Sequence, residues 1–92
     1  MSYELRYHPQ VKRSDLPKLD RVAKKRIRAA IEARLTQRPE YYSEPLRRTL
    51  KPYRKLRVGE YRVILRIDET TVFILAVLHR KEAYQRARRR AP

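Results

Sequence analysis

Leu19, Ala23, Ile27, Ile31 and Leu35 recur every four residues, Val22 and Ala30 widen the stripe, and Lys24, Lys25, Arg28 and Glu32 fill the opposite side. Such spacing sets one apolar face on a helix and predicts an amphipathic α-helix from about Asp20 to Gln37. Asp20 stands where an N-cap acceptor is needed, and Pro39 ends the pattern. Earlier in the chain, Tyr3, Leu5 and Tyr7 alternate with Glu4 and Arg6, the two-residue period of a strand. Pro9 suits a first helical turn, so a short helical stretch is expected after it, with Val11 and Leu16 inward and Pro17 limiting its length.

The second half of the chain carries strand periods. Pro39, Pro45 and Pro52 mark a connection over residues 39 to 53, with Leu46 and Leu50 expected to tack onto the core. Leu56 and Val58 then alternate with Lys55 and Arg57, and Gly59-Glu60, holding the only glycine, reads as a two-residue hairpin turn. Tyr61, Val63, Leu65 and Ile67 alternate with Arg62, Ile64 and Arg66 as a second strand, and Asp68-Glu69-Thr70 turns the chain again. Thr71 to Leu78 is apolar on both faces, which predicts the central and most buried strand. Lys81 to Arg90 reads as a short helix with a solvated, frayed end. The sum is an α+β fold: an N-terminal strand and two helices packed on an antiparallel three-stranded meander, with the first strand at its edge and a short C-terminal helix. One domain spans residues 1–92, of which 84–92 form a basic tail.

Strand parity then sorts the side chains. Pairing Ile67 with Val72 sets Ile64 opposite Leu75 and Arg62 opposite Val77. Val63, Leu65, Ile67, Ile74 and Ala76 then lie beneath the helices. Arg62, Arg66 and His79 share the helix-free face, with Arg80 at its edge and Arg54, Lys55 and Arg57 on or just before the neighbouring strand.

Composition narrows the function. Ninety-two residues hold one modest core and no separate cofactor domain. Twenty-five Lys and Arg against ten Asp and Glu give a formal charge of +15, which points to a polyanionic partner, nucleic acid above all. There is no cysteine, and His8 and His79 lie far apart in sequence, so neither a thiolate site nor a dedicated zinc site is expected, and no metal or cofactor. No apolar run approaches a membrane span and the N-terminus lacks a signal-peptide pattern, which together read as a cytoplasmic protein without a membrane partner. A single arginine on a sheet is ordinarily a solubilising group. The cluster of arginines with Tyr84 close by suits single-stranded RNA, the guanidinium groups taking phosphates and the ring stacking a base. His79 reads either as a hydrogen-bonding strand end or as an acid–base group, and Tyr61 as core.

The run Tyr53-Arg54-Lys55-Leu56-Arg57-Val58-Gly59-Glu60-Tyr61-Arg62-Val63-Ile64 resembles the "LRvGdYRviY" signature of the RelE/ParE toxin superfamily, and Val77-Leu78-His79-Arg80-Lys81-Glu82-Ala83-Tyr84 resembles its C-terminal "v.HR..vY" element. This resemblance spans about residues 2 to 84. It implies the toxin of a type II toxin–antitoxin pair, neutralised by an acidic antitoxin. RelE-like members are endoribonucleases that cut mRNA in the A site of the 70S ribosome; ParE-like members poison DNA gyrase. Carried over by position, Arg62 would stabilise the phosphorane, Arg80 would act at the leaving oxygen, and Tyr84 would position the nucleotide. Lys55 and His79 are the candidate acid–base groups. Lys51, Arg54, Arg57, Arg66 and Lys81 would contact RNA or ribosome.

Overall fold

The computed structural model of the chain describes residues 2–46 and 52–91; Leu50 and Lys51 lie outside the described residues. Five strands form one sheet in the order β1-β5-β4-β3-β2: β1 (Glu4–Tyr7), β2 (Glu44–Pro45), β3 (Arg54–Val58), β4 (Tyr61–Asp68) and β5 (Thr71–His79). β3, β4 and β5 make the expected antiparallel meander, and β1 adds to its β5 edge in parallel. The centre of the order is therefore β4. Thr71 to Leu78, expected at the centre, belongs to β5, one strand out, but remains deeply buried, because β1 and the helices close it from the other side.

Helical turns over Val11–Asp15 and Leu16–Lys18 lead into α1 (Arg21–Ala30), which continues through a π-helical stretch, Ile31–Leu35. Asp20 caps α1 as its position implied, its carboxylate accepting from Ala23 N at 2.7 Å. Pro39 does not follow the long helix as a stop. It opens the short α2 (Pro39–Tyr42), a first-turn position that lacks no needed N–H donor. The main row of the helical stripe buries as its period promised: Ile27, Ile31 and Leu35, with Val11, pack against Leu56, Val58, Val63, Leu65, Val72, Ile74 and Val77. Val22, expected to widen the stripe, instead stands in the first turn of α1 and is 76% exposed.

The two faces of the sheet depart from simple alternation at one place. Ile64 pairs with Ala76 and Leu65 with Ile74, so Leu75 is an extra residue in β5, a β-bulge. Leu75 and Ala76 consequently both leave the α1 side and join Ile64 and Leu78 on the opposite face. Ala76 had been expected beneath the helices, and Arg62 opposite Val77; the bulge moves Ala76 to the other face and sets Arg62 opposite Leu78. That opposite face is not free of helix either. α3 (Ala83–Arg90) lies on it, with Ala83 and Ala87 fully buried among Ile64, Leu75, Ala76 and Leu78. The basic C-terminal segment is thus packed structure rather than a solvated tail.

The last residue of α3 explains why. Arg90 Nη1 and Nη2 meet the two carboxylate oxygens of Asp15 at 2.7 and 3.1 Å, a bidentate pair 75 residues apart in sequence. β1 pairs with β5 only as far as Ile74. Just beyond, Asp15 accepts from Val77 N at 2.8 Å and Arg90 donates to Leu75 O at 3.1 Å. The ion pair therefore fills ladder positions that β1 leaves open at the bulge. Asp15 is 2 % exposed, so losing one partner would strand the other in a dry site. Asp15→Asn is expected to cost about 3 kcal/mol, read as a lower urea midpoint at unchanged slope.

Candidate nucleic-acid interface

The β3–β4 hairpin gathers the cations. It turns at Gly59-Glu60, where Gly59 has φ +59° and a Cβ would sit 3.2 Å from the Arg26 guanidinium of α1, so glycine serves both the turn and the close approach. Register places Arg57 directly opposite Arg62, and Lys55 opposite Ile64, so Lys55, Arg57 and Arg62 share the face on which α3 lies. Two like charges facing each other across a strand pair weaken the hairpin. Arg62 partly escapes by folding back: its Nη1 donates to Gly59 O at 3.1 Å and Tyr61 O at 2.8 Å. Both acceptors are backbone carbonyls, so its charge is not neutralised by them.

Arg80 reaches the same turn from β5. Its backbone N donates to Glu60 O at 2.8 Å, and its Nε lies 2.9 Å from Glu60 Oε2. Both side chains are more than half exposed, so this ion pair adds little stability and exchanges readily with another anion. Arg62 and Arg80 are thus brought to one end of the sheet from strands adjacent in space.

The chain matches the family described as the ParE toxin of type II toxin–antitoxin systems (parDE) over residues 5–84. It is 39% identical over 92 residues to toxin RelG of Mycobacterium tuberculosis, covering 94% of this chain and all of RelG. The RelBE2 toxin–antitoxin complex of M. tuberculosis holds a chain superimposing with a TM-score of 0.80 at 34% identity, over 86% of this chain and 92% of that one. A mutant of Escherichia coli toxin RelE in the free state shares the fold, with a TM-score of 0.66 at 16% identity over the whole of both chains. This chain belongs to the RelE/ParE toxin superfamily.

Against the residues the sequence singled out, this RelE/ParE chain shows several departures. His79 pairs with Tyr61 and meets its ring edge-on, centroids 5.7 Å apart. Tyr61 packs on the α1 side of the sheet, so the bulge carries His79 to the face away from Arg62, against the expected parity. His79 Nδ1 accepts from Lys81 N at 3.2 Å, which leaves Nε2 to carry the proton in the neutral ring. Arg54 is committed to structure: its Nε and Nη2 donate to Ser43 Oγ, Ser43 O and Glu40 O, tying β3 to the α2–β2 segment. The Arg66 guanidinium lies over the rings of Phe73 and Tyr53, 5.3 and 5.9 Å from their centroids. Lys81 is exposed after β5. Tyr84 falls in the first turn of α3, its side chain outside the described part of the structure. Sequence reasoning passed over Glu60 as a partner for Arg80, although a carboxylate at the hairpin tip beside the end of β5 was the available signal.

The Arg57/Arg62 pair has a measurable stability cost. Arg57→Glu converts a like-charge cross-strand pair into an opposite-charge one and is expected to raise stability by about 0.5–1 kcal/mol. Urea unfolding at low salt checks this, and the gain should shrink as salt rises.

Proposed function

We propose that this toxin is a ribosome-dependent endoribonuclease that cuts mRNA in the A site, with the cationic face around Arg62 and Arg80 as its cleavage site. The observation that supports it most is Arg57 directly opposite Arg62 with Lys55 on the same face, an arrangement unfavourable for the fold and suited to an anionic ligand. Cleavage proceeds by attack of the ribose 2′-OH on the adjacent phosphate with departure of the 5′-oxygen. It needs a proton acceptor, charge stabilisation on the phosphorane and a proton for the leaving oxygen. Arg62 and Arg57 face one another and supply the positive charge for the phosphorane. Arg80, at the turn, acts at the leaving oxygen after exchanging Glu60 for phosphate. Tyr84, opening α3, positions the nucleotide.

Lys55 is the better placed proton acceptor, because it shares the face of Arg62, whereas His79 points to the Tyr61 side. No metal is invoked in this scheme. An acidic antitoxin is the natural inhibitor, covering this face and neutralising part of the +15 charge. The solved RelBE2 relative is a toxin–antitoxin complex, which supports an antitoxin partner here.

Arg62→Ala and Arg80→Ala are each expected to lower mRNA cleavage on purified ribosomes by about 10²-fold or more, with matching loss of growth arrest. Arg57→Glu should lose cleavage while gaining stability, which separates function from folding. Growth arrest that survives all three changes would sink the nuclease reading. Lys55→Ala should reduce cleavage more than His79→Ala; the reverse order moves the proton acceptor to the histidine. The matched family is described by its ParE toxin, and the resemblance to ParE-like members supports a second reading, a gyrase-directed toxin. Inhibition of gyrase supercoiling by the wild-type protein, with ribosomes and mRNA left intact, selects it.

A further inference from the structure

A second cationic site lies away from the hairpin. Where β1 ends and α3 closes over the edge of β5, an open depression of about 500 Å³ is lined by His8, Gln10, Arg86, Arg89 and Arg90. His8 is anchored there through its N–H to Ile74 O at 2.8 Å. Ile74 stands six residues before Arg80, roughly 20 Å of strand away from the proposed cleavage site.

The lining is arranged for an anion. Arg86 and Arg89 are three residues apart on α3 and so stand side by side on one flank of the helix. Arg86 has an exposed ion pair with Glu82 at 3.6 Å, long enough to exchange readily. Arg90 is different: Asp15 and Leu75 O already occupy its guanidinium, so it adds positive field and holds the helix end in place. The Asp15 carboxylate has both its oxygens taken by Arg90. His8 Nδ1 accepts from Gln10 N at 3.1 Å, which fixes the tautomer with Nε2–H as a donor. A second depression shares His8 and adds Arg6, Lys12 and Arg13, which extends the basic surface along β1.

We propose that the His8–Arg86–Arg89 pocket binds backbone phosphate of structured RNA, as an anchor separate from the cleavage face. The proposal rests on the RNA-directed reading of this toxin but not on cleavage. Burial first, and then the Arg90 charge, lower the His8 pKa from its ordinary value, so the ring enters the pocket neutral near pH 7. A phosphate bound beside it favours the imidazolium and reverses that direction.

The test uses the full chain, wild type and Arg86→Gln/Arg89→Gln, with binding of a labelled RNA duplex measured across a salt series. Arg90 is left intact so that α3 stays clasped, and circular dichroism checks the fold. The variant is expected to bind about tenfold more weakly and to lose about two from the log–log salt slope. Arg21→Gln/Lys25→Gln, which removes equal charge from the exposed side of α1, should leave the slope unchanged. In parallel, inorganic phosphate should shift the His8 ring resonances and raise its titration midpoint in the wild type and not in the variant. Equal slope losses in the two charge-matched variants would reduce the pocket to a share of net charge and overturn the proposal. So would His8 shifts produced by an acidic helical peptide and by neither RNA nor phosphate, which would assign the pocket to a protein partner. Failure of the nuclease reading is seen separately, in ribosomal cleavage by the Arg62 and Arg80 variants.

Discussion

The Asp15–Arg90 pair holds together parts of this fold that the hydrophobic core alone does not join. One end belongs to the helical turns after β1, the other to the last residue of α3, and both bond to β5 where β1 stops. A buried ion pair is a weak source of net stability when compared with apolar packing, since both charges lose their water. Here its value is positional. Bidentate geometry and two backbone partners satisfy the carboxylate and the guanidinium together, and satisfied buried polar groups specify one arrangement. α3 is short, and among its described side chains the buried apolar ones are Ala83 and Ala87. Two alanines supply little burial energy. The clasp is what fixes the register of that helix on the sheet, and so the place of its first turn next to the cationic face.

The bulge at Leu75 and the clasp depend on one another. An extra residue in β5 leaves local ladder groups unpaired, and the Asp15 carboxylate and Arg90 guanidinium take up Val77 N and Leu75 O at that spot. The same bulge turns Leu75 and Ala76 together toward α3, giving that helix an apolar floor. It also reverses everything downstream in β5, which is why His79 stands with Tyr61 instead of Arg62. One irregularity thus decides both where the C-terminal helix docks and which face lacks the histidine.

Much of this was legible in the chain. The four-residue stripe from Leu19 to Leu35, the Asp20 cap, the Gly59-Glu60 turn and the alternation through Tyr61–Ile67 each carry a period or a turn residue whose physics is local. The bulge carried no such mark. Thr71–Leu78 is apolar at nearly every position, so sliding it by one residue changes no hydrophobic pattern. The clasp was hidden for a different reason. Asp15 sits in a weak helical stretch and Arg90 in a run of three arginines, and only the closed fold brings them together. The residues proposed for cleavage lie within the family motif, but their division between faces could not be read from the chain, since that division follows from the bulge.

That division bears on how the charge is used. Seen from the sequence, +15 is one undifferentiated basic load. In the fold it separates by commitment. Arg54 and Arg90 are bound into the structure by carbonyls, a hydroxyl and a carboxylate, and Arg66 is spent on two aromatic rings. Among the described residues Arg57 and Arg62 face each other without a carboxylate between them, and Arg80 has an exposed one. Self-repulsion weakens a compact state, so a fold under pressure for stability alone would place glutamate across from Arg62. The arginine retained there is best understood through an anion that arrives later. In the proposed complex a phosphate joining the two guanidinium groups would restore the stability that the hairpin forgoes. An acidic antitoxin would relieve the same repulsion by the same charge, and so would compete with RNA for this face even if it touched none of the atoms that RNA touches.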